Sequence, residues 1–118
     1  MITGLGTDII EVSRIKDALL RHASFEARIF TAAEREYCSS SVNSAQRYAG
    51  RFAAKEAVAK CLGSSLSWLD VEIIPGESGK PEVRLYNKAA QIAGERRVMV
   101  SISHCHSHAV ATAIAVPD

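Results

Sequence analysis

Apolar and polar positions recur with two different periods along the chain, and the places where the period changes divide it into elements. The opening MITGLGTDII is apolar but too glycine-rich for a helix. It reads as a strand that runs into a tight backbone site at Gly4 and Gly6, with Asp8 at the strand's end. From Ser13 to His22, residues Ile15, Ala18, Leu19 and His22 fall on one helical face while Arg14, Lys16, Asp17 and Arg21 lie elsewhere. That is the pattern of an amphipathic helix. In FTAAEREYC, Thr31 and Glu34 form a T-x-x-E capping box that predicts a short helix from Ala32. Residues 39–44 read as a loop.

The longest helical signal is NSAQRYAGRFAAKEAVAKCLG. Asn43 and Gln46 can make a capping-box-like start, and Gly63 supplies a left-handed residue to end the helix. At 100° per residue, Ala45, Tyr48, Ala49, Phe52, Ala53 and Ala59 form one stripe with Glu56 in its middle. Beyond Phe52 the other faces are apolar too, with Ala54, Ala57, Val58, Cys61 and Leu62. A helix apolar on nearly all sides is a central, buried one, and its charges then need a reason. WLDVEII and EVRLY, joined by PGESGKP, predict two strands in a hairpin. NKAAQIAGERR predicts a short helix ending near Gly94, and VMVSIS and AVATAIAV predict an antiparallel pair with HCHSH as its loop.

Length confines these elements to one domain, residues 1–118, with one core. Fourteen Lys and Arg against thirteen Asp and Glu leave a charge of +1, so no whole-chain field argues for nucleic acid or a membrane surface. No apolar run reaches the roughly 18 residues of a spanning helix. The N-terminus lacks the basic and apolar regions of a secretory signal. Cys38, Cys61 and Cys105 are odd in number and widely spaced, which argues for a reducing compartment. A soluble, cytoplasmic protein is expected.

Three groups carry candidate chemistry. In HCHSH, an extended backbone would put His104, His106 and His108 on one face as a three-imidazole zinc set, although side chains on one strand point in parallel rather than converging. The alternative is a polar loop in which only His104, at the end of a buried strand, matters. Asp8 and Glu56 stand in apolar settings where an unpaired carboxylate is costly. Glu56 can pair with Lys60 at i,i+4, and Asp8 can cap the following helix. The functional alternative brings both carboxylates to one Mg²⁺, with Lys60 aimed at a phosphate, which is a phosphoryl-transfer layout.

The opening GLGTDI, the FTAAERE segment, RFAAKEAVAKCLG with Glu56 and Lys60, the GKP turn and the SISH run occur in an order that resembles the small holo-acyl-carrier-protein synthases, a family of 4′-phosphopantetheinyl transferases. The resemblance implies an α+β fold, with a long central helix packed against antiparallel strands, and a homotrimer with active sites at subunit boundaries. It also implies a Mg²⁺-dependent transfer of phosphopantetheine from coenzyme A to a serine of apo acyl carrier protein, releasing 3′,5′-ADP, as a step in fatty acid biosynthesis. On this resemblance Asp8 and Glu56 are metal ligands, and Glu56 and Lys60 carry the catalysis. Arg51, Lys60, Gly63, Lys80, Pro81 and His104 map to the coenzyme A cleft. The serine proton goes to Glu56 through a water or to a water on the metal; both remain open. Because acyl carrier proteins are acidic, Arg14 and Arg21, with Arg28 just beyond, become contacts for the partner. The small-residue strand AVATAIAV suits close packing between subunits. Where the family continues after SISH with a polar or acidic turn and a tyrosine, this chain has CHSHA, so Cys105, His106 and His108 are read as local turn variation. The competing reading is a non-catalytic oligomeric domain that holds a transition metal through the acidic pair and the histidines; the Lys60 placement and the GKP turn speak against it.

Overall fold

The computed structural model describes residues 1–118. It contains β1 (Gly4–Glu11), α1 (Val12–Arg21), α2 (Phe25–Ile29), α3 (Ala32–Ser39), α4 (Ser44–Leu62), β2 (Val71–Pro75), β3 (Pro81–Leu85), α5 (Asn87–Ala93), β4 (Arg96–His104) and β5 (His108–Pro117). A 3₁₀ turn, Trp68–Asp70, precedes β2. The strands form a three-stranded antiparallel sheet in the order β1-β5-β4 and a separate β2–β3 hairpin. This is the expected α+β architecture, with α4 as the central helix.

The helix lies across one face of the larger sheet, and the residues beneath it explain how it comes so close. Strand periodicity sends Ala109, Ala111, Ala113 and Ala115 of β5 to that face, and all four are buried. Their register partners on β1 are Ile10, Asp8, Gly6 and Gly4. A Cβ built at Gly6 would sit 2.6 Å from the backbone nitrogen of Cys61, so β1 rides directly on the α4 backbone. At the other end of the helix, Gly50 faces Ile102 of β4. The alanines of β5 therefore serve helix packing inside one chain. On the opposite side of α4, Val12, Ile15, Ile29, Phe30, Cys38 and Tyr48 join α1, α2 and α3 into a second cluster. Phe30 is wholly buried there, and truncating it to Ala costs about 3–5 kcal/mol.

Local signals act where chemistry fixes them. Thr31 Oγ1 accepts from the Glu34 N–H at 3.2 Å and Glu34 Oε1 from the Thr31 N–H at 2.8 Å, the reciprocal capping box. Gly63 takes φ +69°, and the bonds from Gly63 N–H to Lys60 O and from Ser64 N–H to Ala59 O, both 3.2 Å, close α4 as a Schellman motif. The Asn43 side chain makes no cap, and the Gln46 side chain donates to the Cys105 carbonyl at 3.5 Å. Trp68–Asp70 coils rather than extends, and α2 carried no recognised sequence signal.

Charges inside the fold are paired. Lys55 and Glu34, both fully buried, meet at 2.8 Å. Lys55 also donates to the Trp68 carbonyl at 2.9 Å, while Glu34 Oε2 accepts from the Ile73 N–H at 2.7 Å. Glu72 extends this network, accepting from Thr31 Oγ1 at 2.6 Å and from the Tyr86 hydroxyl at 3.0 Å. Burial pushes the Lys55 pKa down and the Glu34 carboxylate opposes that shift. The network fixes α3, α4 and the start of β2 to one another.

Candidate functional site

Helical spacing gives α4 one stripe that is less buried than the rest: Phe52, Glu56, Ala59 and Lys60. Glu56 is thus half-buried at the margin of the sheet instead of in the middle of a buried stripe; the buried charge of this helix is its neighbour, Lys55. Asp8 is in the interior of β1, since the strand continues to Glu11, and it caps nothing: the N-cap of α1 is Glu11, which makes no side-chain cap. An inward Asp8 on a strand that rides on α4 comes to the Glu56–Lys60 stripe.

The three side chains converge. Lys60 Nζ lies 3.3 Å from Asp8 Oδ1 and donates to the Thr7 carbonyl at 3.0 Å. The Lys60 side chain is 55% exposed and that of Asp8 16%, so the pair opens to solvent at the lysine. Lys60 therefore bridges to β1 rather than forming the i,i+4 pair with Glu56. The Glu56 carboxyl is pushed above the ordinary carboxylate range by burial first and by the charge of Asp8 second, with Lys60 opposing. Glu56 has no hydrogen-bond or ion-pair partner within the chain.

Two neighbouring carboxylates, one of them unpartnered, fit a cation. No group of three or more His, Cys, Asp or Glu side chains is placed to hold a metal. A two-carboxylate donor set of hard oxygens suits Mg²⁺, which keeps waters and takes substrate phosphate, better than a closed zinc site.

The other residues read from the sequence stand apart from this centre. Arg51 is buried on the far side of α4, its guanidinium 4.3 Å over the Tyr37 ring beside Arg47 at 4.2 Å, and its Nε has no partner. Lys80 and Pro81 are on the β2–β3 hairpin, whose turn is closed by the Gly76 N–H to the Lys80 carbonyl at 2.7 Å. Gly63 lies one step past the Lys60 turn. His104 ends β4, exposed and paired in register with Ala109. With β5 between β4 and β1, it is about 10 Å across the sheet from β1. Arg14 and Arg21 share a shallow surface recess on α1 with Asp17 and His22. Arg28, on α2, belongs to a different recess with Trp68 and Leu69.

The extended run that would align three histidines does not form. The backbone turns between β4 and β5, with the Cys105 N–H donating to the His108 carbonyl at 2.9 Å. Ser107 Oγ is 2.8 Å from His108 Nδ1 and 3.5 Å from Cys105 Sγ. Bonds from Ser107 lower the Cys105 thiol pKa. His106 and His108 instead line a cavity of about 620 Å³ between α1, the start of α4 and this turn. The buried Lys55–Glu34–Glu72 network went unread in the sequence; the signal was there, as a lysine inside a helix apolar on nearly all sides.

Against known proteins, the family model of the 4′-phosphopantetheinyl transferase superfamily matches residues 4–113. A holo-(acyl-carrier-protein) synthase from Caldanaerobacter subterraneus is 48% identical, with 95% of this chain and 93% of that one covered. One from Moorella thermoacetica is 46% identical, over 92% and 90%. Among solved structures, a holo-(acyl-carrier-protein) synthase from Bacillus anthracis in complex with CoA (3′,5′-ADP) superposes with a TM-score of 0.85 at 35% identity, covering 100% of this chain and 99% of that one. The Helicobacter pylori enzyme in complex with coenzyme A gives 0.85 at 26% identity, over 95% and 99%.

Proposed function

Because the chain belongs to the holo-(acyl-carrier-protein) synthase family of 4′-phosphopantetheinyl transferases, we propose that it transfers 4′-phosphopantetheine from coenzyme A to a serine hydroxyl of apo acyl carrier protein. The reaction depends on Mg²⁺ and releases 3′,5′-ADP. The bond from serine Oγ to the phosphorus bearing pantetheine forms as the bond from that phosphorus to the 3′,5′-ADP oxygen breaks, and the serine proton leaves to a base. The observation that carries this reading is the convergence of Asp8, Glu56 and Lys60, two carboxylates with one lysine at a solvent-open edge.

Asp8 and Glu56 would hold the Mg²⁺. When bound, the ion supplies charge neutralisation at the diphosphate oxygens of coenzyme A. Lys60, already oriented by the Thr7 carbonyl and Asp8, presents a cation to the phosphate and stabilises negative charge that grows on the leaving oxygen. Glu56, kept short of ordinary acidity by its surroundings, is the carboxylate suited to receive the serine proton through a water. Arg51, Gly63, Lys80, Pro81 and His104 bind the rest of coenzyme A.

One copy of the chain does not bring those residues around Asp8 and Glu56, which supports a cleft completed by a neighbouring subunit of a homotrimer. The outer face of the three-stranded sheet agrees: Leu5 and Ile9 are 66% and 62% exposed there, and Met99 and Val110 extend the apolar surface. No helix is long and apolar enough to cross a membrane. The proposal includes a cytoplasmic location and a supply of holo carrier for fatty acid synthesis.

The test is to incubate the protein with coenzyme A, Mg²⁺ and an apo acyl carrier protein and weigh the carrier intact by mass spectrometry. The carrier should gain one phosphopantetheine, and both Glu56→Gln and a chelator should abolish the gain. No gain with several carriers would overturn the reading.

A further inference from the structure

The reach of Asp8 poses a geometric problem. Its carboxylate stands on a single methylene, yet it must meet a glutamate and a lysine carried by a helix packed on the sheet. Side chains normally hold a helix and a strand further apart than that. The strand solves it two residues earlier, on the same inward face. At Gly6 a Cβ would lie 2.6 Å from Cys61 N and 3.0 Å from Lys60 Cβ, and closer still to the Ala57 carbonyl oxygen. All three atoms belong to the stretch of α4 that presents Glu56 and Lys60, and the two closest are backbone, which cannot rotate away. Gly4 meets the Cys61 carbonyl in the same manner. Gly50, the glycine at the other end of the helix, is different in kind: its Cβ would meet only the side-chain Cγ2 of Ile102, at 3.0 Å.

We propose that Gly6, seconded by Gly4, is a positioning residue for the cation, its missing side chain setting the separation of Asp8 from Glu56. Any Cβ at position 6 lifts β1 from α4 beside Glu56. The lift moves the Asp8 carboxylate outward and breaks the approach of Lys60 to the Thr7 carbonyl. Arg51 on the far side of α4, Lys80 and Pro81 on the β2–β3 hairpin and His104 on β4 are left in place. The inference rests on the reading of Asp8 and Glu56 as cation ligands, and the experiment separates the two.

Mn²⁺ binding to the substrate-free protein, read by electron paramagnetic resonance, is compared for wild type, Gly6→Ala, Gly50→Ala, Asp8→Asn and Glu56→Gln. Thermal melting and KM values for Mg²⁺ and for coenzyme A are recorded beside it. A displacement of about 1 Å should raise the Mn²⁺ dissociation constant of Gly6→Ala by about 10-fold or more. The KM for Mg²⁺ should rise with it, while the KM for coenzyme A at saturating Mg²⁺ stays near wild type. Gly50→Ala should melt earlier without weakening Mn²⁺. If Gly6→Ala fails to fold, Gly4→Ala takes its place, with a smaller rise expected because its clash lies two residues further from Asp8. A folded Gly6→Ala, or Gly4→Ala in its place, that binds Mn²⁺ as wild type does while Asp8→Asn loses it overturns the inference and spares the cation reading. Wild-type binding in Asp8→Asn and Glu56→Gln overturns both.

Discussion

At the scale of single residues, burial in this protein acts as an electrostatic instrument. Glu56, unpartnered at the margin it shares with Asp8, has its pKa raised by burial first and by the charge of Asp8 second, which supports the cation proposed for the pair. Cys38 shows burial acting foremost: wholly enclosed between α3 and α4, its thiol is pushed up from 9.0 to about 12, desolvation outweighing the nearby Arg51 charge. Since the folded thiol keeps its proton where the unfolded thiol has released it, stability falls as pH rises from 9 toward 12. The loss should approach roughly 1 kcal/mol per pH unit in that window. Urea unfolding of wild type and Cys38→Ala at several alkaline pH values checks this. The variant starts lower because of its cavity but should lose stability less steeply with pH.

At the scale of elements, α4 sends adjacent charges to opposite fates. Lys55 turns inward to Glu34 and the carbonyls that open β2, and Glu56 turns to Asp8 at the margin. The first is structural, and the second belongs to the proposed site. Lys55→Met leaves Glu34 buried without its cation and should cost about 3–5 kcal/mol in chemical denaturation. Adding Glu34→Gln should recover much of that loss, because the carboxylate left without its cation is then neutral. In both variants the folded fraction should keep the wild-type KM for Mg²⁺. Helix α1 carries the proposed carrier contact: Arg14 and Arg21, two turns apart, line one surface recess together with Asp17 and His22. Reversing both to Glu should raise the KM for an acidic carrier by at least about 10-fold and flatten its salt dependence, with the KM for coenzyme A unchanged in steady-state assays.

At the scale of the whole molecule, the two faces of the three-stranded sheet do different work. The inner face is alanine and glycine, so that a helix can lie close; the outer face is larger and apolar at Leu5, Ile9, Met99 and Val110, with no element of the chain to cover it. Association through this outer face is the arrangement proposed for the trimer. Leu5→Glu with Ile9→Glu should then reduce the mass measured by light scattering to that of one chain. Transfer activity should fall with it, while far-UV circular dichroism shows the secondary structure retained. A double variant that stays assembled and active would remove the outer face from the assembly.

The sequence by itself determined the elements whose signals are local. The Thr31–Glu34 capping box, the Gly63 terminator, the β4–β5 pair and the central helix all depend on neighbours within a few residues, and all appear where the pattern put them. It also supplied Asp8, Glu56 and Lys60 as candidates, through acids in apolar settings and a lysine one turn on, and then through a resemblance in the order of short motifs. Only the tertiary structure decided their partners. Lys60 had two acids within plausible reach, and a strand from the far N-terminus, held against α4 by two glycines, drew it to Asp8 and not to Glu56. Burial chose likewise between adjacent residues: Lys55, unread in the sequence, found Glu34 and two carbonyls in the core, while the glutamate beside it stayed at the margin. Partner choice across the fold depends on distances of a few ångströms between segments remote in sequence. Local periodicity carries no record of those distances.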